Sequence, residues 1–267
     1  MYKTMNGKIR LLSLLYSMFL VLLFLSGSLV GYLSRVIYYL AFIIPFAIAV
    51  LAVGRDALPK KEHFSFSREK MKNTLPCILP AVSVVILLSV VTSAIIEAIS
   101  GKTQAIDVGD SFFVAMITHV LIPALLEELL FRYLPMRLLS PHSRRGAVII
   151  SALMFAFVHH SLYSIPYAFA AGLIFMTLDI ASDSIYPSLI IHFLNNLLSL
   201  IIIFGMPLWL VIVLVCLLGI SVFFVVKGRK KYGEMIVFAF EKGEKYSLCM
   251  EFVLFVLFAV ATAVLTL

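Results

Sequence analysis

Nine apolar stretches, separated by short polar breaks, decide what this chain can become. They run roughly over 11–33, 36–53, 75–99, 111–134, 147–162, 165–181, 187–205, 206–226 and 248–267. About 20 helical residues, rising 1.5 Å each, cross the hydrocarbon core of a bilayer. In lipid a backbone must satisfy its own N–H and C=O groups, and a long apolar run does so as a helix. The stretches therefore predict an all-α fold, a multi-pass transmembrane helical bundle of about eight to nine helices. Composition agrees, with 63% hydrophobic and 13% charged residues, against roughly half and a quarter in soluble domains. A globule of 267 residues has too much surface to hide that excess. A soluble enzyme is excluded, and no nucleic-acid partner is expected. Cys77, Cys216 and Cys249 are an odd, scattered set lying in or beside apolar stretches. They read as reduced packing residues rather than disulfides or a zinc site.

The net charge of +7 is distributed in a way that orients the bundle. With the N-terminus in the cytoplasm, inside loops hold Lys3, Lys8 and Arg10; Arg55, Lys60, Lys61, Arg68, Lys70 and Lys72; Arg137, Arg144 and Arg145; and Lys227, Arg229, Lys230, Lys231, Lys242 and Lys245. Outside loops keep Arg35 and Lys102. Positive charge collects on the cytoplasmic side, next to anionic lipid, so the N-terminus is expected inside and the C-terminus outside. The first stretch follows a basic start but is too long for a signal-peptide core, so it reads as a retained signal anchor. Residues 228–247 read as an interfacial amphipathic segment. The expected setting is the cell membrane.

Polar residues inside apolar stretches are costly and mark candidate sites. Here they are Glu97, His119, Glu127, Glu128, Arg132, His159, His160, Asp179, His192, Asn195 and Asn196. Glu128 and Arg132 are four apart on one helix face, which predicts an ion pair. The adjacent Glu127 points about 100° away and suits either a general base or a carboxylate at a wet helix end. Glu127 lies thirteen residues before Ser140, and His159 thirteen after Gly146. In an antiparallel hairpin turning at 140–146, both lie on the order of 20 Å from the turn, at equal depth. His192 and Asn196 are also four apart on one face. Measured from Pro187, His192 is expected to lie shallower than the other two unless its helix tilts or re-enters. Asp179 is isolated in the sequence and carries no expected role.

Three clusters stand in order: Glu127-Glu128-Leu129-Leu130-Phe131-Arg132, then Phe155-Ala156-Phe157-Val158-His159, then His192-Phe193-Leu194-Asn195-Asn196. Together they resemble the EExxxR, FxxxH and HxxxN pattern of the CPBP (Abi) family of membrane proteases. That family comprises the type II CAAX prenyl endopeptidases and bacteriocin-processing relatives. The resemblance covers roughly 111–205. It implies an intramembrane endopeptidase in which Glu127 and His159 activate a water and His192 and Asn196 stabilise the oxyanion. Glu128 and Arg132 would support them, with no metal and no cofactor. Substrates would be lipidated or membrane-associated precursor peptides, and membrane lipid the surrounding partner. One departure is Tyr133, where the family often carries Gly; a ring there is expected to narrow the access route. The organisation implied is 1–110 as N-terminal transmembrane helices of unassigned role, 111–205 as the catalytic core and 206–267 as C-terminal transmembrane helices.

Three other readings compete. One Glu and two His from three helices resemble a zinc donor set, although HExxH is absent. A non-catalytic bacteriocin immunity or regulatory protein on the same fold would keep the motifs. A proton-coupled transporter would also use intramembrane Glu, His and Asp, but the chain has no visible two-fold internal similarity.

Overall fold

The computed structural model describes residues 3–54, 57–58, 61–64, 71–72, 74–101, 111–159, 164–205 and 208–265. Arg55, Lys60, Arg68, Lys70, Lys102 and His160 from the sequence reading lie outside the described residues. Among the described residues the chain is helical, with no strand. Ten helices follow in order: α1 (Met5–Gly27), α2 (Gly31–Val53), α3 (Leu75–Ser100), α4 (Phe112–Leu139), α5 (Arg144–Val158), α6 (Ile165–Ser182), α7 (Tyr186–Ile203), α8 (Leu208–Lys227), α9 (Arg229–Ala239) and α10 (Met250–Leu265).

Six of them, α1, α2, α3, α4, α6 and α7, are long and apolar enough to cross a membrane, so the chain is a multi-pass membrane protein. The stretch expected at 147–162 is a helix, but a shorter one. Its helix α5 has 15 residues, about 22 Å of rise, short of the roughly 30 Å hydrocarbon core. Most of α5 is buried, so it is an inner element rather than a lipid-facing span. The first boundary also moves. Thr4 caps α1 by accepting the Gly7 N–H at 3.2 Å, and the helix ends at Gly27 rather than near residue 33. Across the α1–α2 turn, each of Ser26 and Ser34 donates its hydroxyl to the other's carbonyl, at 3.0 and 2.9 Å.

Helix α4 is not uniform. Wider π turns occupy Met116–Leu121 and Leu129–Tyr133, on either side of Glu127 and Glu128. Each π turn is followed within two residues by a proline, Pro123 or Pro135, which brings no N–H to the preceding turn. Carbonyls freed before Pro135 find donors elsewhere. The Tyr16 hydroxyl of α1 donates to the Leu130 carbonyl at 2.7 Å, and the Ser151 hydroxyl of α5 donates to the Phe131 carbonyl at 2.6 Å. Phe131 also packs on the rings of Tyr16 and Phe19, with centroids 5.0 and 5.2 Å apart. These contacts join α1 and α5 to the centre of α4.

Helices α5 and α6 approach each other closely at Gly172. A Cβ there would sit 2.8 Å from the Ala152 Cα. Gly172→Ala is therefore expected to push the two helices apart and cost about 1–3 kcal/mol, read as a lower midpoint in thermal unfolding of the detergent-solubilised protein.

The turn from α6 to α7 is sunk into the protein. Ser182, Ser184, Ile185 and Ser188 are buried, and Asp183 turns the chain in the left-handed region at φ 50°. A 3₁₀ turn over Lys61–Phe64 covers it, and the His63 carbonyl accepts the Ile185 N–H at 3.2 Å and the Ser184 hydroxyl at 3.3 Å. The segment expected to be amphipathic contains α9, which exposes Ile236, Val237 and Phe238.

Candidate active site

Glu127, His159, His192 and Asn196 line one cavity of about 290 Å³, together with Tyr38, His119 and Ser199 among others. They reach it from α4, from the end of α5 and from α7. The equal-depth register of Glu127 and His159 thus brings both to the same space. The hairpin turn itself is short: α4 ends at Leu139, and Ser143 caps α5 by accepting the Gly146 N–H at 3.0 Å.

His192 is the junction of the site. Its Nδ1 donates to Glu128 Oε1 at 2.7 Å, and its Nε2 faces Glu127 Oε2 at 3.8 Å. One imidazole therefore lies between two adjacent carboxylates. His192 thus comes level with Glu127, which the sequence left to a tilt or a re-entrant start of its helix. The turn before Pro187 is buried beneath the 61–64 segment.

Behind His192, Glu128 Oε2 lies 3.5 Å from Arg132 Nε, and both side chains are 0% exposed. The i,i+4 pair expected from the sequence is present. The guanidinium stacks over the Phe155 ring at 3.9 Å and near Phe175 at 5.2 Å, and Arg132 Nη1 donates to the Phe131 carbonyl at 3.2 Å. Buried charge is tolerated where partners and polarisable rings surround it.

Phe155 has a role that its place in FxxxH hides. Its ring meets His159 edge-on at 4.6 Å and His192 at 5.9 Å, while its face carries Arg132. His159 Nδ1 donates to the Phe155 carbonyl at 2.8 Å, one turn back. That bond sets the tautomer of a neutral ring, with Nε2 as the acceptor nitrogen.

Tyr133 does not narrow the cavity. It is fully buried, its hydroxyl donates to the Leu58 carbonyl at 2.6 Å, and its ring packs on Phe64 and His63. The cavity is lined instead by residues such as the exposed His119 and the half-buried Tyr38.

Three residues escaped functional assignment in the sequence. Tyr38 comes from α2, outside every motif, and one tyrosine among 11 carries no signal. His119 precedes Glu127 by eight residues, about 80° away on a regular helix; the π turn at Met116–Leu121, wider than an α turn, reduces that offset. Asp179 is fully buried and its Oδ1 accepts the Ser188 N–H at 3.0 Å. Ser188 lies one turn before His192, so Asp179 anchors the start of the helix that carries the imidazole.

Among the described residues, no group of three or more His, Cys, Asp or Glu side chains converges as a metal ion requires. Residues 109–198 match the family model described as Type II CAAX prenyl endopeptidase Rce1-like. No curated protein and no solved structure matches the chain. The matched segment, about a third of the chain, contains EExxxR, FxxxH and HxxxN and the helices that bring Glu127, His159, His192 and Asn196 to the cavity, and it supports the resemblance to the CPBP family of CAAX-protease-like membrane proteins.

Proposed function

We propose that this protein is an intramembrane endopeptidase that hydrolyses lipid-modified or membrane-associated precursor peptides with a Glu/His-activated water. The observation that carries the reading is the convergence of Glu127, His159, His192 and Asn196 on one cavity. Glu127 takes a proton from water and returns it to the leaving amine. His159, with Nδ1 committed to the Phe155 carbonyl, accepts a water hydrogen at Nε2 and orients the attack. His192 and Asn196 donate to the developing oxyanion. A proton on each nitrogen of His192 lets Nδ1 bond Glu128 while Nε2 faces the cavity. With Glu127, Glu128 and Arg132 also charged, the four formal charges then sum to zero, which suits a buried cluster. No acyl-enzyme is needed, because water attacks directly. The cavity opens toward the cytoplasmic leaflet in this reading, the side that the basic 140–146 turn occupies under the orientation proposed above.

The test is comparative peptidomics of membranes from cells carrying the wild-type protein, Glu127→Ala or His159→Ala. Peptides cleaved by the wild type accumulate as precursors in both variants. Unchanged peptide profiles, with all three proteins present at equal levels, defeat the proposal and favour an immunity or regulatory role. Loss of cleavage on chelation that zinc alone restores would instead assign the Glu and His side chains to a metal.

A further inference from the structure

A second cavity, of about 330 Å³, lies between α3, α6, α8 and α9 and shares no lining residue with the first. Cys77, Ala81, Thr177, Val225, Tyr232 and Ile236 represent its four walls. Its lining is almost wholly apolar. The Thr177 hydroxyl is spent on the Leu173 carbonyl at 2.6 Å. A polar ligand body finds no partners in such a space, whereas an aliphatic chain needs none.

Cations follow and precede the cavity's lining residues Val225 and Tyr232 in the chain. Helix α9 opens with Arg229, Lys230 and Lys231, directly after Lys227 at the end of α8. Lys231 lies within electrostatic reach of the Cys77 thiol on the cavity wall. Lys227, Arg229 and Lys230 border a separate surface hollow with Phe223 and Val226, and Lys230 also borders one with Glu234 and Glu241. Among the described residues, Arg229, Lys230 and Lys231 form no ion pair. Glu234 is the one carboxylate of α9; Glu241, beyond its end, is held by Arg144. The exposed Ile236, Val237 and Phe238 suit a helix lying at the membrane interface. An apolar slot with unpaired cations beside it in the chain matches one ligand chemistry: an acyl chain in the slot and a phosphate on the cations.

We propose that this cavity holds an acyl chain of an anionic phospholipid whose phosphate is bound by Arg229, Lys230 and Lys231. The site is separate from the Glu127 cavity and does not depend on whether the protein cleaves peptides. Helix α6 touches both the lipid cavity and the buried cluster behind His192. Thr177 lines the lipid side, while Phe175 lies against Arg132 and has its ring centroid 5.9 Å from that of His192.

Native mass spectrometry of the full chain in detergent tests this with phosphatidylglycerol and phosphatidylcholine of identical acyl chains. One phosphatidylglycerol is expected to stay bound, preferred over phosphatidylcholine by on the order of fivefold for each cation engaged. The triple variant Arg229→Ala, Lys230→Ala, Lys231→Ala loses that preference and keeps weak binding of both lipids. Ala81→Phe, which fills the slot, loses both at unchanged helix content by circular dichroism. Equal binding of the two lipids, no bound lipid, or a preference that survives the triple variant overturns the proposal. The triple variant alters the surface end of α9 rather than the core, so it decides the question even if Ala81→Phe does not fold.

Discussion

Glu127→Gln is expected to lower kcat/KM about 10³-fold on a farnesylated, CAAX-terminated reporter peptide, within the usual range for loss of a general base. Glutamine keeps the shape of the side chain and cannot take the proton. The fold is expected to survive, because the Glu127 side chain is 17% exposed at the cavity whereas that of Glu128 is 0% exposed. Thermal unfolding and circular dichroism therefore stay near wild type while turnover falls. His159→Ala should lose a comparable factor. The double variant should lose little more than either single one, since a base and the ring that orients its water act as a unit. A Glu127→Gln enzyme within tenfold of wild type would remove Glu127 from the chemistry, and losses that multiply in the double variant would separate the two roles.

Arg132→Met produces the largest expected loss of stability, about 3–5 kcal/mol. The change leaves Glu128 buried with no guanidinium beside it and takes the cation from the face of Phe155. Methionine fills much of the space but compensates no charge. The partner change Glu128→Gln, made in the same chain, should recover a large part of the loss, because an amide oxygen still accepts the His192 Nδ1 hydrogen and no orphan carboxylate remains. Unfolding midpoints of the two single variants and the double variant form the cycle that measures this coupling. Midpoints that simply add would mean that the buried pair contributes no mutual stabilisation.

The sequence carried much of this arrangement because its governing quantities are periodic. Spacing of four placed Glu128 with Arg132 and His192 with Asn196 on shared faces. Equal counts of thirteen from a hairpin turn levelled Glu127 with His159. These inferences need only the rise and pitch of a helix. What escaped depends on where a ruler begins or how a helix deviates. Counting from Pro187 left open how His192 comes level with Glu127, because the α6–α7 turn is packed under the 61–64 segment by contacts that no local spacing specifies. The π turns beside Pro123 and Pro135 were invisible to a 3.6-residue period, and with them the position of His119. Tyr38 and Asp179 act across helix pairs that no local spacing specifies. Tyr133, read as an obstruction, faces the 58–64 segment because its hydroxyl and ring find partners there.

The bond from Tyr16 to the Leu130 carbonyl gives the first helix an identity beyond its length. A generic apolar anchor would restore the crossing of the bilayer but supply no phenol at that depth. The oxygen left before Pro135 would then face hydrocarbon without a donor, a few residues from the paired glutamates. The fit of α1 to the bundle thus includes one hydroxyl group that a generic apolar helix lacks, and exchange of the helix for another hydrophobic leader is not neutral.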